Sequence, residues 1–553
     1  MSDFTFNAVP TIKRPRSRFP MNHSYKTAFN MADLIPHFVQ EVYPGDTFKV
    51  RDSFVIRTSV PFVRPIMDNL FADVYYFFVP NRLIFDDWEE FMGDNKTSAW
   101  KNTNIYTIPE ATGNVVAGSL ADYFGIPLNN YETNSDYLNE LPFRAYAKIY
   151  DDWFRNENYQ DPIFINMSSG QNKNGKFNNN PFAPNNIMGM PAKINKLKDY
   201  FTSVLPAPQK SNPVNIQFGL NVQAPVMTQN AVADNRESDP NSVLGLKWSS
   251  GSDGTLIEPL NYFRLGIGDF AGYNGTFTAE GFNDEISEPV RPRNLFANLS
   301  NINIANVNDL RYAFALQRLF EKDAIYGTRY TEMLEGHFGV TNPDARLQRS
   351  EYLSGARLPL QLSQVASTNG ASAGGIAQVS AYSLTNGKAG FSKAFTEHGF
   401  VIGLIAVRQL HTYQQGLEKF WFRRYRSDFY DPVFAHIGYQ PIYKNEIYAQ
   451  EALSGSIWGY NQAWNDLRFR TNKITGLLRS DANEGLDIWH LGDDYASSPT
   501  MTSTFCKETS DYIDRALSSP SSTIANFICD IYHQCTAVRR LPVYSLPGLV
   551  DHY

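Results

Sequence analysis

One segment near the N-terminal end constrains the fold more than any other part of the sequence. Residues 65–83, PIMDNLFADVYYFFVPNRL, have the pattern of a strand with large apolar groups in both alternating sets of positions. One set contains Leu70, Val74, Tyr76 and Phe78, and the other contains Phe71, Tyr75, Phe77 and Val79. Successive side chains of a strand point to opposite sides, so both faces of this strand are apolar. Something must therefore cover each face.

Further segments also predict strands. Residues 46–60, DTFKVRDSFVIRTSV, alternate regularly apart from Val55, and they predict a half-buried strand. Its apolar face carries Phe48, Val50, Phe54, Ile56 and Val60, and its outer face carries Lys49, Arg51, Ser53 and Arg57. The later segments FVIGLIAVRQL, QPIYKNEIYAQ and IANFICDIYHQCTAVR are strand-like as well. Charged residues make up only 19% of the chain, against roughly 25% in an ordinary globular protein, which favours strands and long loops over helices.

Helical spacing of apolar residues occurs at two places, 143–157 and from Asn308 onward. Between them, residues 161–300 contain 20 asparagines and repeated turn signals without a sustained period. The predicted strands lie near both ends of the chain, with polar insertions between them. This order is typical of one β-sandwich with expanded loops. We expect an extended arm (1–40), a first core part with a helical insertion (41–160), insertions (161–300), a second core part (301–538) and a C-terminal tail (539–553).

The charge of the chain is unevenly distributed. Residues 1–30 carry five cations against one acid, which gives +4, whereas residues 211–290 carry three cations against ten acids, which gives −7. The basic cluster KRPRSR lies between prolines, and aromatic residues follow it. Such an arm can neutralise phosphates and stack bases of single-stranded nucleic acid, or it can be a solvated tail without a partner. The residues alone leave these two alternatives open.

Several classes of protein are not expected. No apolar segment approaches the roughly 20 residues of a membrane helix, and no apolar signal-peptide core follows Met1. Cys506, Cys529 and Cys535 are too few for a disulfide framework, and they fit a reducing cytoplasm as free thiols. The sequence also contains no Gly-rich phosphate loop and no nucleophile elbow.

Two acidic clusters invite a catalytic interpretation. Asp86 and Asp87 precede Trp88, and Asp151 and Asp152 precede Trp153, so each cluster offers paired carboxylates beside an aromatic ring. This arrangement suits a glycosidase, although adjacent carboxylates on a helix point about 100° apart and such triplets commonly cap helices. Calcium at the first cluster is a further alternative, but no calcium-loop spacing is present. We therefore expect no catalytic residues.

Histidines and cysteines do not form a recognisable metal motif. Cys529, His533 and Cys535 share one face of a predicted strand, yet Cys529 and His533 would lie roughly 13 Å apart, too far to share one zinc ion. His398 and His411 lack an HExxH context. The sequence thus predicts no metal site and no cofactor.

Longer blocks carry a family resemblance. KTAFNMADLIPHFVQEVYPGDTF, PIMDNLFADVYYFFVPNRLIFDDWEEFMG, YAKIYDDWFRNENYQDP, GHFGVTNPDARLQRSEYLSG, DPVFAHIGYQPIYKNEIYAQ and WGYNQAWNDLRFRTNKITG occur in this order between about residues 17 and 480. They resemble the major capsid proteins of gokushoviruses, small icosahedral single-stranded DNA phages of the Microviridae. Phe85 and Asp87 depart from the pattern, where tryptophan and asparagine are more usual.

The resemblance implies a fold and a function. The fold is a mainly β viral jelly roll, an antiparallel β-barrel with large loop insertions and a few short helices. The function is self-assembly into an icosahedral shell, with one subunit per asymmetric unit, around a circular single-stranded DNA genome. The covering of the strand at 70–79 then comes from the chain's own insertions or from a neighbouring subunit. The virion is the implied location, after synthesis and assembly in the cytoplasm of the bacterial host.

The resemblance also implies partners. They are further copies of the chain, viral single-stranded DNA, a small basic DNA-binding viral protein, a DNA pilot protein and a host cell-surface receptor, without membrane insertion. For DNA contact we expect Lys13, Arg14, Arg16, Arg18, Arg539 and Arg540. The acidic segment 211–290 is the candidate for a threefold protrusion that meets the host.

Two other classes of protein remain as alternatives to a capsid protein. A β-rich carbohydrate-active or glycan-binding protein predicts a stable monomer with glycan affinity. A bacterial nucleic-acid-binding protein predicts tight, salt-dependent binding of single-stranded DNA by the free subunit.

Overall fold

The computed structural model describes residues 16–94, 106–111, 114–129, 138–163, 167, 189–211, 214, 307–327, 329–366, 378–450 and 455–544, with four short strands between 226 and 297. The chain divides into two compact units, one formed by residues 1–210 and 321–553 and the other by residues 211–320. The first unit contains both large sheets.

Ten strands form the two large sheets. They are β1 (Ser17–Pro20), β2 (His23–Phe29), β3 (Ile35–Val42), β4 (Thr47–Thr58), β5 (Leu70–Pro80), β6 (Glu351–Pro359), β7 (Leu362–Ala366), β8 (Val379–Ala394), β9 (Gly399–Gln409) and β10 (Phe527–Arg539). The first sheet has the order β1-β10-β4-β8-β7, and β2 pairs with β10 beyond the end of β1. The second sheet has the order β6-β5-β9-β3. Every pairing in both sheets is antiparallel.

This strand order is that of a jelly roll. If β1 and β2, which follow each other along β10, are taken as one strand, and β7 is set aside as an extra edge strand paired with the start of β8, the chain has eight strands. Almost every connection between these eight strands crosses from one sheet to the other. The prediction of a mainly β jelly roll is confirmed. In the described residues no strand pairing joins the two sheets, so the two sheets form a sandwich and do not close into a continuous barrel.

A single apolar core lies between the two sheets. The inward side chains of β4 are buried, and they meet the buried set of β5 that contains Val74, Tyr76 and Phe78. The outward residues of β4 are exposed, as the alternation in the sequence predicted. Each large apolar side chain buried in this way contributes about 1.5 to 3 kcal/mol to folding.

The second apolar face of β5 is covered by the chain itself. An α-helix, Leu141–Ile149, continues as a π-helical turn, Tyr150–Phe154, and packs with Phe77 and Val79 in a second cluster of buried residues. The ring centroids of Phe77 and Phe154 are 5.8 Å apart, and those of Phe77 and Trp153 are 5.5 Å apart. The helical insertion predicted at 143–157 therefore buries the second apolar face of β5.

The segment predicted as an extended arm is more ordered than expected. Strands β1, β2 and β3 occupy most of residues 17–42, so the boundary at residue 40 is wrong. The prolines mislead because of their positions: Pro20 is the last residue of β1, and Pro36 lies in β3, an edge strand with one free side. Proline is tolerated at both kinds of position because no ladder hydrogen bond is lost there.

Smaller elements fill the connections. The other α-helices are Trp88–Phe91, Leu120–Tyr123, Val307–Tyr326, Tyr330–Phe338, Ser503–Cys506 and Asp511–Ala516. Short strand pairs join Glu110–Ala111 to Leu138–Asn139, Tyr439–Tyr443 to Ile457–Gln462, Val226–Thr228 to Leu295–Ala297, and Trp248–Ser249 to Arg291–Pro292. Among the described residues, none of the helices has the length and apolar character needed to cross a membrane.

A buried ionic network fixes the segment after β9. His411 Nδ1 lies 2.7 Å from Asp493 Oδ1, and His411 Nε2 lies 3.0 Å from Glu508 Oε1. Burial alone would lower the pKa of His411, but the two carboxylates outweigh it and raise this pKa to about 10. Burial would raise the pKa of Asp493, but His411 and Lys196 lower it to about 2. The network therefore holds a charged imidazolium between two carboxylates inside the protein.

The three cysteines are free and buried, as predicted. Burial raises the pKa of the Cys506 and Cys535 thiols to about 11 and that of Cys529 to about 12. They are therefore protonated, unreactive packing groups near neutral pH.

Candidate nucleic-acid interface

The outward face of the first sheet carries a row of exposed cations. In β4 the side chains of Lys49, Arg51 and Arg57 are exposed, as is Ser53, while the other residues between Lys49 and Arg57 are buried or half-buried. The register places Lys388 of β8 opposite Ser53, on the same face. Residues paired across neighbouring strands have their side chains on one face, so the four cations share one surface.

The N-terminal strands extend this surface. Lys26 of β2 pairs with Asp530 of β10, which in turn pairs with Val55 of β4, and Arg18 of β1 pairs with Val538 of β10. Both cations are exposed. We define the basic face as Arg18, Lys26, Lys49, Arg51, Arg57 and Lys388. Asp530 is the acidic residue among them in these rows, so the local charge is six minus one, or +5, in a chain of net charge −7.

An aromatic ring lies among these cations. Tyr532 of β10 pairs with Ser53, which pairs on its other side with Lys388, so the three residues form one row across the sheet. The Tyr532 side chain is 50% exposed. A flat, exposed ring between positive charges is the arrangement that proteins use to stack a base while neighbouring cations contact phosphates.

The structure divides the six cations that the sequence suggested. Lys13 and Arg14 lie outside the described residues, Arg16 is exposed immediately before β1, and Arg18 belongs to the basic face. Arg539 is held elsewhere: its Nε lies 3.3 Å from Asp46 Oδ2, and its guanidinium donates a 2.9 Å hydrogen bond to the Glu41 carbonyl oxygen. Its charge is therefore compensated within the subunit.

Arg540 is exposed, and its side chain packs against Gly45. It follows the end of β10 directly, and the register does not include it in the rows of the basic face. The structure thus brings Arg18 together with cations that sequence reasoning did not select for DNA contact. The alternation of β4 had revealed the basic outer side of that strand, but its adjacency to Lys26 and Lys388 depends on pairings between distant parts of the chain.

The second acidic cluster has a structural explanation. Asp151 Oδ1 lies 2.7 Å from Arg155 Nε and also accepts a hydrogen bond from the Ile163 amide. Asp152 pairs with Lys148 at 3.0 Å and accepts hydrogen bonds from the Ser350 amide and hydroxyl. These carboxylates fix the π-helical turn to neighbouring segments, and their geometry does not support a carbohydrate-cleaving site.

The first acidic cluster does not have the geometry of a calcium site. Among the described residues, no three carboxylates of Asp86, Asp87, Glu89 and Glu90 converge to within 4.8 Å of one another. Glu90 is buried, and its carboxylate accepts a hydrogen bond from the Tyr106 hydroxyl. A hard cation such as calcium needs several oxygen ligands at one point, and this cluster does not provide them.

Comparisons with known proteins agree with the fold. A family profile described as "Capsid protein (F protein)" matches residues 7–549. The chain is 37% identical over 591 residues to capsid protein VP1 of Chlamydia phage 1, covering 98% of this chain and 97% of the relative. It is also 37% identical over 558 residues to capsid protein VP1 of Bdellovibrio phage phiMH2K, covering 99% and 98%.

A third relative gives the same result. Capsid protein VP1 of Spiroplasma virus 4 is 37% identical over 547 residues, covering 97% of this chain and 95% of the relative. The matches span both parts of the jelly roll and the insertions between them. The chain therefore belongs to the phage capsid protein (F protein) family, and it is a major capsid protein with a structural role in the virion.

Proposed function

We propose that copies of this subunit form a closed icosahedral shell and that the basic face contacts the packaged single-stranded DNA. One observation carries the proposal: a face with a local charge of +5 on a chain whose net charge is −7. Cations collected on one surface release counterions from phosphates, and this release supplies most of the affinity in sequence-independent binding.

The arrangement of the cations on the sheet favours binding that does not depend on base sequence. The cations belong to hydrogen-bonded strands, which present them in rows on an open sheet face. Tyr532 provides a stacking surface that accepts any base. The proposed contact is therefore independent of sequence, as a shell around a whole genome requires. In the sequence, Lys13, Arg14 and Arg16 add three further cations before β1.

A second surface suits contact between subunits. We define the assembly patch as Leu417, Phe420, Trp421, Tyr425, Phe429, Tyr430, Val433 and Ile437, all exposed within one 21-residue segment. The exposed fractions of Trp421, Tyr425 and Val433 are 68%, 72% and 83%. Monomeric proteins rarely expose so many large apolar side chains together, whereas subunit interfaces are rich in them. Another copy of the chain is the proposed occupant.

The remaining partners rest on the resemblance to the gokushovirus family. Residues 211–290 are proposed as the protrusion that meets a host receptor, because their acidic charge is best kept away from packaged DNA. A small basic DNA-binding protein and a DNA pilot protein are proposed as companions in the virion. Assembly in the host cytoplasm fits three buried, free thiols. Deletion of 211–290 should abolish attachment of otherwise intact particles, and normal attachment would remove this assignment.

Ultraviolet crosslinking of DNA in purified particles tests the DNA contact. Mass spectrometry of the crosslinked peptides should recover residues from β2, β4 and β10, with Tyr532 as the aromatic acceptor. Particles without DNA, irradiated in the same way, control for crosslinks between proteins. If the DNA crosslinks fall only on other parts of the chain, the basic face is not the DNA contact.

A further inference from the structure

Three polar side chains from three different strands meet inside the sandwich. His37 of β3, Asp52 of β4 and His533 of β10 each offer one atom, and these atoms lie within 4.8 Å of one another. Their exposed fractions are 3%, 1% and 0%. His37 belongs to one sheet, while Asp52 and His533 are directly paired in the other sheet. The group therefore connects the two layers through the apolar core.

The hydrogen bonding of this group is incomplete. Neither ring nitrogen of His37 has a hydrogen-bond partner, although both are buried. The His37 and His533 rings are stacked, with centroids 5.5 Å apart and an interplanar angle of 4°. His533 Nδ1 lies 2.9 Å from Asp52 Oδ1, and the Tyr76 hydroxyl donates to Asp52 Oδ2. Buried polar groups in native proteins nearly always have partners, so the two free nitrogens of His37 need an explanation.

The backbone is shaped around the His37 ring. In the pairing of β9 with β3, Gly403 is opposite Phe38 and Leu404 is opposite Pro36, so His37 is the extra residue of a β-bulge. A β-carbon at Gly403 would lie 2.9 Å from Cε1 and Nε2 of His37. Bulges redirect side chains and often occur next to functional sites. Here the bulge and the glycine together provide the space for an inward histidine.

We propose that His37, Asp52 and His533 bind a divalent first-row transition metal ion, for which zinc is the appropriate probe. Two imidazole nitrogens and one carboxylate oxygen suit such an ion, whereas calcium and magnesium prefer oxygen ligands alone. Zinc–ligand bonds of about 2.0 to 2.2 Å bring ligand atoms to about 3.3 Å from one another, so small side-chain rotations close the site.

The surroundings of the three ligands fit this role. The Tyr76 hydroxyl orients the Asp52 carboxylate, as partners of ligands do in known metal sites. The exposed His23 is paired with His533, with ring centroids 4.7 Å apart, so a further imidazole lies between the site and the surface.

The proposed ion has a structural function that is independent of DNA binding. It would tie β3 to β4 and β10 and so hold the two sheets together. The site also differs from the combination considered in the sequence, because His533 meets His37 and Asp52 here instead of acting with Cys529 and Cys535. Its ligands come from positions 37, 52 and 533, a spacing that matches no local metal motif.

Metal content of the full-length protein provides the test. Assembled particles are treated with a chelator, loaded with zinc or cobalt(II), and freed of unbound ion before elemental analysis. We expect one zinc ion per subunit, and we expect cobalt(II) to give the visible absorption of a site with nitrogen and oxygen ligands. His37→Gln and Gly403→Ala should each lower the zinc content at least tenfold, whereas His436→Gln, at an exposed histidine, should leave it unchanged.

Each outcome decides the proposal. Wild-type particles that remain free of zinc after loading overturn it, and this measurement does not depend on whether any variant folds. Zinc that stays stoichiometric in soluble His37→Gln protein also overturns it, because the ion then lies elsewhere. Loss of zinc in both site variants, with retention in His436→Gln, supports the site.

Discussion

Removal of three charges from the basic face should weaken DNA binding by an amount that can be calculated. The perturbation is the triple substitution Lys49→Gln, Arg51→Gln and Arg57→Gln, all at exposed positions of β4. In a plot of the logarithm of the binding constant for single-stranded DNA against the logarithm of the salt concentration, each neutralised phosphate contributes a slope of about −0.7. If all six cations contact phosphates, the wild-type slope is about −4, and the variant slope is about −2.

The difference in slope is large enough for a direct assay. Between 50 and 200 mM salt, these slopes correspond to a loss of about 300-fold for the wild type and about 20-fold for the variant. Fluorescence anisotropy with a labelled oligothymidine and the soluble full-length subunit measures both slopes, and sedimentation checks that the subunit stays unassembled. Exposed substitutions of this kind change stability by only about 0.5 kcal/mol, so folding does not confound the result.

A matched control separates the basic face from total charge. Arg424, Arg426 and Arg470 are exposed cations outside this sheet, and replacing them with glutamine removes the same three charges. This control should keep the wild-type slope. A β4 variant that also keeps the wild-type slope would refute the reasoning, because its cations would then make no phosphate contacts.

Three further predictions concern assembly and stability. Trp421→Ser should raise the protein concentration needed for assembly roughly a hundredfold, because burial of the exposed part of this ring contributes about 3 kcal/mol. Light scattering measures this concentration, and an unchanged value would exclude the ring from subunit contacts. The pKa of His411 is about 10 in the folded protein and 6.5 unfolded, so its stabilisation is complete below pH 6.5 and is lost as the pH rises through about 10. The free energy of unfolding of the free subunit should therefore decrease as the pH rises from 6.5 to about 10. This decrease should be smaller in His411→Gln, and the same decrease in both proteins would contradict the assignment. Arg144→Met removes a partner of the fully buried Glu140 carboxylate, 3.1 Å away, and should cost about 3 to 5 kcal/mol. Lys473→Met, at a pair with Glu418 in which the lysine side chain is 55% exposed, should cost about 1 kcal/mol or less, and equal shifts in unfolding temperature would argue against burial as the cause.

Much of the fold was predictable from local patterns. The alternation in residues 46–60 correctly gave the buried and exposed sides of β4, because the period of a strand is fixed by its backbone. The helix at 143–157 was visible from its spacing, although its π-helical end was not. The arm boundary was wrong because prolines at a strand end and in an edge strand resemble prolines of an unstructured segment.

The candidate sites were less predictable. Of the cations expected to contact DNA, Arg18 lies on the basic face, whereas Arg539 is compensated by Asp46, and this compensation depends on where β10 ends in the folded protein. Lys388 and Tyr532 have no distinguishing local signal. They belong to the basic face because β8 and β10 pair on either side of β4, although these strands are far apart in the chain.

The sequence by itself determined the strands, the side of β4 that faces water, the need to cover both faces of β5 and membership of a capsid family. These properties depend on short-range periodicity and on long blocks of residues that resemble the family, both of which are present in the chain itself. Only the tertiary structure decided which segment covers β5, which cations share a surface, and that His37, Asp52 and His533 meet in the core. The physical reason is that each of these depends on contacts between distant segments. For the cations and the histidine–aspartate group the contacts depend on strand register, and a shift of one residue would turn the same side chains to the opposite face.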